Sequence, residues 1–185
     1  HRSLGLITTD CDDVSYAALD EATKKAEVQV AYARSMYAGS GNASTRLAGE
    51  FIGILSAPGP AQARSGLEAA IGFIENQATF YSADEGNTIP YFAQCIAQTG
   101  SYLSRQAEVP EGTPMAYLIA PPMEAMVGLD EALKAARVEL KVFYGPPTET
   151  NFAGGLLVGK QYACQMACEA FARTVRSIAA DPLRF

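Results

Sequence analysis

Few residues in this 185-residue chain have types and spacing suited to chemistry. Asp10, Asp12 and Asp13 stand between a short apolar run and a stretch of helical periodicity, and Glu50 stands at the entry of another apolar run. Brought together, these carboxylates could line an acidic site that attracts a small cation. Aspartates just ahead of a helix also serve as ordinary N-caps, favoured by the positive end of the helix dipole. A glutamate at a strand entry is commonly only solvated, so residue types leave both readings open. The rest of the inventory is thin. The only histidine is His1, so the usual general base is missing. No Ser-x-x-Lys, Gly-x-Ser-x-Gly or His-Glu-x-x-His occurs. Gly39-Ser40-Gly41 lacks the Lys-Ser/Thr that a P-loop needs and reads as a loop between strands. Cys11, Cys95, Cys164 and Cys168 fit no CxxC spacing; the last two share a helix face, and buried thiols in a reducing cytosol are expected rather than a metal site. No enzyme is expected from this set.

The elements that must position these residues occur twice. Residues 19–28 (LDEATKKAEV) lie over 129–138 (LDEALKAARV), and 47–49 (LAG) over 152–154 (FAG). A repeat this long is a duplicated domain, since solenoid periods run about 20–50 residues. In the first copy, strand 4–8 precedes a helix with Val14, Ala17, Ala18, Ala22 and Ala26 on one face. Strand 28–36, loop 38–46, strand 51–55 and a helix opened by Pro58-Gly59-Pro60 follow, with Asn76 as its stop. From 78 to 113 the pattern weakens. A strand is expected at 80–82, a helix or irregular segment at 91–99 and an extended piece at 100–103. The second copy reads as strand 115–120, helix 124–136, strand 138–144, loop 145–151, strand 154–158 and helix 161–179, stopped at Asp181-Pro182. Two βαββα units, residues 1–77 and 78–185, predict an α+β fold of two ferredoxin-like sheets, each with both helices on one face.

Bulk properties narrow the partners. With 49% hydrophobic and 18% charged residues the chain is globular, and two small domains would gain from further association. A net charge of −6 and the lack of a basic run argue against nucleic acid. No apolar run approaches a membrane span and no secretory leader is evident. Asn42-Ala43-Ser44, formally a glycosylation sequon, therefore reads as loop. The chain starts almost directly in a strand, so a segment upstream is expected.

Both repeats resemble the bacterial microcompartment shell domain. The likeness is carried by the twofold Leu-Asp-Glu-Ala-x-Lys-x-Ala-x-Val and by the segments 3–13 (SLGLITTDCDD), 37–41 (YAGSG), 99–104 (TGSYLS), 115–122 (MAYLIAPP) and 147–154 (PTETNFAG). It covers essentially the whole chain and points to the tandem-domain, trimeric shell proteins of ethanolamine-utilising compartments. The resemblance implies two circularly permuted shell domains per chain, and three chains in a flat pseudohexameric tile. Such tiles pack with other shell proteins in the compartment shell in the cytoplasm. It also implies a central pore rimmed by Tyr37, Gly39, Ser40, Gly41 and Asn42 from one interstrand loop, with Pro146, Pro147, Thr148, Glu149 and Thr150 from the other. Lys24 and Lys134 match the tile-edge lysine. Asp12, Asp13, Glu50 and Phe80 match the lining of a small pore that binds ethanolamine. No cofactor is required, although cobalamin and zinc binding are associated with the family. Members carry about thirty further N-terminal residues that supply a permuted strand, so the first sheet is expected to lack one. The rival reading is a duplicated ferredoxin-like module that binds a metabolite and regulates.

Overall fold

A computed structural model describes residues 1–36 and 49–184. The chain divides into two compact units. The first is His1–Thr79 with Thr99–Gln106, and the second is Phe80–Gln98 with Ala107–Phe185. The division after residue 79 lies close to the boundary expected at 77, but residues 99–106, inside the range expected for the second domain, belong to the first unit.

In the first unit β1 (Ser3–Thr9), α1 (Asp12–Lys25), β2 (Gln29–Ser35), β3 (Phe51–Ala57) and α2 (Pro60–Asn76) follow in order. The strands form an antiparallel sheet in the order β1-β3-β2. Along β3, Phe51, Gly53, Leu55 and Ala57 are buried and the residues between them are half-buried, the alternation of a strand with one face on a core. Both helices lie on that face. A Cβ at Gly53 would meet Leu19 of α1, and one at Gly5, across from Leu55, would meet Leu67 of α2. α1 begins with Asp12 and Asp13 and ends with Lys24 and Lys25, which suits the helix dipole at both ends.

The second unit begins with β4 (Tyr81–Ser82) and β5 (Pro90–Ile96). It continues with β6 (Met115–Ala120), α4 (Pro122–Ala135), β7 (Val138–Tyr144), β8 (Ala153–Gly159) and α5 (Gln161–Ala180). Its five strands run β4-β5-β6-β8-β7. The core β6-β8-β7 repeats β1-β3-β2, down to a shifted register in the outer strand, between Val30 and Tyr32 in one copy and Leu140 and Val142 in the other. Ala116, Leu118, Ala120 and Leu157 from the sheet pack with Ala125, Leu129 and Ala132 of α4 and Ala167, Phe171 and Val175 of α5. The Phe171 ring fills the space that a Cβ at Gly128 would take, 2.7 Å away. Replacing Phe171 by Ala would cost about 3–5 kcal/mol.

Two local expectations are corrected. Residues 91–99 are not helical: Pro90–Ile96 is strand β5, antiparallel to β6. Its near-continuous apolarity fits a helix segment equally well, and the sheet partner decides. Residues 100–103 are not extended: α3 (Ser101–Gln106) is a short helix, fixed by Asp20, whose carboxylate accepts the Gly100 and Leu103 N–H groups. The first sheet has three strands among the described residues, with β1 paired only to β3.

Candidate functional site

The acidic residues gather where β1 passes into α1. Cys11 is the N-cap, extended and without a side-chain cap bond, so Asp12 and Asp13 occupy the first turn instead of capping it. Both are buried, at 9% and 6% exposure, which is unusual for carboxylates. One Asp12 oxygen accepts the Asp13 N–H at 2.9 Å and the other accepts the Ser35 hydroxyl at 2.8 Å. Ser35 in turn donates its N–H to the Tyr16 hydroxyl at 2.9 Å, and the Tyr16 ring meets Phe51 edge-on at 4.9 Å. This chain of bonds joins α1, β2 and β3 and holds the Asp12 carboxylate in place.

Glu50 arrives from β3. Gly49 lets the backbone pass close to β1: a Cβ there would stand 2.3 Å from the Thr9 carbonyl oxygen, and the Gly49 N–H bonds the Thr8 hydroxyl at 3.0 Å. The matched Gly154 is as tight against the Leu118 carbonyl, at 1.9 Å. Burial raises the Glu50 carboxyl above its ordinary value, and the charges of Asp12 and Asp10 raise it further. The Cys11 thiol is pushed up to about 12 by burial, with Asp13, Asp12 and Glu50 adding to the effect. Asp12, Asp13 and Glu50 thus each make it harder to place a further negative charge at Cys11. A site that crowds like charges favours a cation or a proton.

Phe80 belongs to the second unit. Its ring stacks on Phe92 at 5.4 Å and meets Phe152 at 6.0 Å, so Phe92 takes one of its faces. Tyr37, Gly39, Ser40, Gly41 and Asn42 lie outside the described residues. The other expected loop is a self-bonded turn around Thr148. Its N–H donates to the Phe152 carbonyl at 2.8 Å, its carbonyl accepts the Asn151 N–H at 3.0 Å, and its hydroxyl accepts the Phe152 N–H at 3.1 Å. Pro146, Pro147 and Glu149 are exposed on it, while Thr148 and Thr150 are half-buried. Lys24 and Lys134 sit in the last turns of α1 and α4. Lys24 pairs with Glu21 and, at 4.0 Å, with Asp20; Lys134 pairs with Asp130 at 2.5 Å and Glu131 at 3.0 Å.

Ser35 and Tyr16 were not legible as site residues, because neither belongs to an acidic motif and their link to Asp12 joins helix α1 to strand β2. All four cysteines are free thiols. Burial raises Cys95 and Cys168 and pushes Cys164 up to about 11. Among the described residues no three His, Cys, Asp or Glu side chains are grouped as a metal ion would need. A cleft of about 270 Å³ lined by Tyr81, Tyr91, Cys168, Glu169 and Arg176 contains none of the expected site residues.

A family model described as the BMC domain matches residues 3–83. The chain is 64% identical, over all of its length and 85% of the relative's, to the bacterial microcompartment shell protein EutL of Clostridium perfringens. A crystal structure of that protein superposes with a TM-score of 0.97, covering 100% of this chain and 84% of that one. The crystal structure of ethanolamine utilization protein EutL from Leptotrichia buccalis gives 0.97 at 62% identity, covering 100% of this chain and 85% of that one. The shell protein EutL of Escherichia coli is 49% identical over 99% of this chain and 84% of its own.

Proposed function

Since this chain belongs to the EutL family of bacterial microcompartment shell proteins, we propose that three copies close into one tile and that a small pore in the tile admits a primary ammonium alcohol, ethanolamine. The chain is a structural protein of the ethanolamine-utilisation compartment shell, not an enzyme. The trimer follows from the duplication: two shell domains per chain give six positions around an axis when three chains close cyclically. Lys24 and Lys134 then lie at the tile edge, where long stems cover a neighbour and the ammonium groups reach its carbonyls.

The observation that carries the pore reading is the burial of Asp12 and Asp13 in the first turn of α1, with the Glu50 carboxyl raised by burial and by the charges of Asp12 and Asp10. An ethanolammonium ion relieves that crowding. Phe80 enters this reading through the family likeness alone. The loop 145–151, held by its own hydrogen bonds around Thr148, supplies a rim to the central pore.

Light scattering and electron microscopy of the concentrated protein test the tile. A trimer that forms flat sheets or tubes is expected. A discrete particle that never forms a lattice but binds a metabolite tightly would favour the regulatory module instead.

A further inference from the structure

Along one face of α5, Glu169, Ala172 and Arg176 follow one another at helical spacing. Opposite them stand Tyr81 and Tyr91, a cross-strand pair of β4 and β5 whose ring centroids lie 5.8 Å apart. Ala93 is two residues further along β5, on the same side of the strand as Tyr91. Between helix and strands lies the cleft of about 270 Å³, just below the range of about 300–1,000 Å³ that holds drug-sized ligands. It has room for a small metabolite. The small side chains of Ala93 and Ala172 line it, and the buried Cys168 thiol adds an uncharged wall.

Three polar groups on this cleft have bonds left to make. Tyr91 is 5% exposed, yet its hydroxyl makes no hydrogen bond among the described residues. A tyrosine so deep in a core usually pairs that group. Every fully buried side-chain nitrogen or oxygen among the described residues has a partner, so the Tyr91 hydroxyl reaches open space, and the cleft is the space its residue lines. Arg176 makes no hydrogen bond or ion pair among the described residues. Glu169 meets only the Gln165 amide, at 3.3 Å. The acid and the guanidinium stand seven residues apart, about 10 Å along the helix axis, and do not pair with each other. We propose that this cleft binds a small zwitterion of the ω-amino acid kind, its ammonium group on the Glu169 carboxylate and its carboxylate on the Arg176 guanidinium and the Tyr91 hydroxyl. The apolar chain between the two charges lies along Ala172 and the Tyr81 ring. Guanidinium–carboxylate pairs are among the stronger hydrogen-bonded contacts, and the unpaired Tyr91 hydroxyl loses no protein partner when it turns to the ligand.

The test is titration calorimetry of the whole chain with δ-aminovalerate, whose charges are held apart by an apolar chain. Weak, saturable binding is expected, with Kd about 0.1–1 mM. Valerate and pentylamine, each with one of the two charges, should bind about tenfold more weakly. Arg176→Gln, Glu169→Gln and the cleft-filling Ala172→Leu should each lose about tenfold, and Arg137→Gln, the same charge change away from the cleft, should stay within about twofold. Tyr91→Phe should lose about threefold while melting at or above the parent temperature. Affinity should be unchanged in Glu50→Gln, which separates this cleft from the acidic site at α1. The proposal is overturned by the absence of saturable binding, by equal binding of valerate or pentylamine, or by unchanged affinity in both Arg176→Gln and Tyr91→Phe. A loss in Glu50→Gln as large as that in Arg176→Gln also overturns it, by moving the ligand to the other site.

Discussion

Replacing Glu50 by Gln keeps the shape of the side chain and removes one charge from the acidic site. A monocation about 4 Å from one carboxylate gains about 4 kcal/mol at an effective dielectric near 20. Desolvation of both groups removes much of that, and exposed pairs keep about 1 kcal/mol or less. Glu50 is half-buried, so a loss of about 1–2 kcal/mol is expected, or roughly 5- to 30-fold in affinity for ethanolamine. The same residue sets the pH dependence. Its carboxyl titrates above its ordinary value, about 4.3 in free peptides, and bound ethanolammonium favours the ionised form. Affinity in the parent therefore falls as pH drops through that raised value, while the ligand's ammonium, with a pKa near that of lysine at about 10, stays charged. In Glu50→Gln this part of the acid dependence is gone. Stability moves the other way. A carboxyl raised in the folded state contributes stability that is present below its unfolded value and lost as pH rises through the folded one. Removing the charge should thus leave the melting temperature at pH 7 unchanged or slightly higher. Titration calorimetry at pH 7 and pH 5, with thermal melting alongside, measures both. Equal affinity in parent and variant, or tighter binding of uncharged ethylene glycol, refutes the acidic-site reasoning and returns Asp12, Asp13 and Glu50 to structural roles.

Replacing Lys24 and Lys134 together by Ala should leave the trimer intact, because helix-surface pairs are worth only about 0.2–0.5 kcal/mol each, and should abolish two-dimensional sheets in micrographs; normal lattices would sink the edge assignment. Asp20→Ala leaves the Gly100 and Leu103 N–H groups without their acceptor in a buried place, a cost of about 1–3 kcal/mol for each. Exchange of amides 100–104 should accelerate before global unfolding, and an unchanged pattern would show that α3 is held by other contacts. Cys164 and Cys168 should resist a thiol reagent at pH 8 until the protein is unfolded, since burial keeps both protonated; rapid labelling of all four cysteines in the native protein would contradict this.

Repeated, strongly periodic segments were legible because their signals are local. The strand 138–144 and the strand 115–120 have the bounds read from sequence, and Asn76 and Asp181 mark the ends of their helices. Between 78 and 113 the strand expected at 80–82 is present as Tyr81–Ser82, but legibility failed at 91–103, where structure is set by partners far along the chain. Cys95 lies in a strand because Ala116 pairs with it, and Ser101 opens a helix because Asp20 accepts the N–H groups around it. At the candidate site, residue type, spacing and resemblance single out Asp12, Asp13 and Glu50 as candidates only. The Ser35–Tyr16 network that holds Asp12 was not legible, because a serine and a tyrosine carry no sequence signal for a contact between a helix and a strand.

The two copies share a sheet core but have diverged in chemistry at the same structural positions. α1 starts with two buried aspartates; α4 starts at Pro122 and carries a single acid, Glu124, in its first turn. The acidic site therefore occurs once per chain although the fold that carries it occurs twice. The outer helix faces differ in the opposite sense, covered on α1 and open on α4. In the proposed ring of three chains, such a duplication would give alternating positions, three with the paired aspartates and three without them. A single-domain hexamer would have to repeat every site six times, and any substitution tuning one pore would alter all of them. Duplication removes that constraint, so Asp12, Asp13 and Glu50 could be selected for a ligand while residues 122–124 were free to take another role. The buried carboxylates of α1 impose a desolvation cost on the first unit that the second unit avoids at the matched positions of α4, and the proposed ligand site gives that cost a purpose.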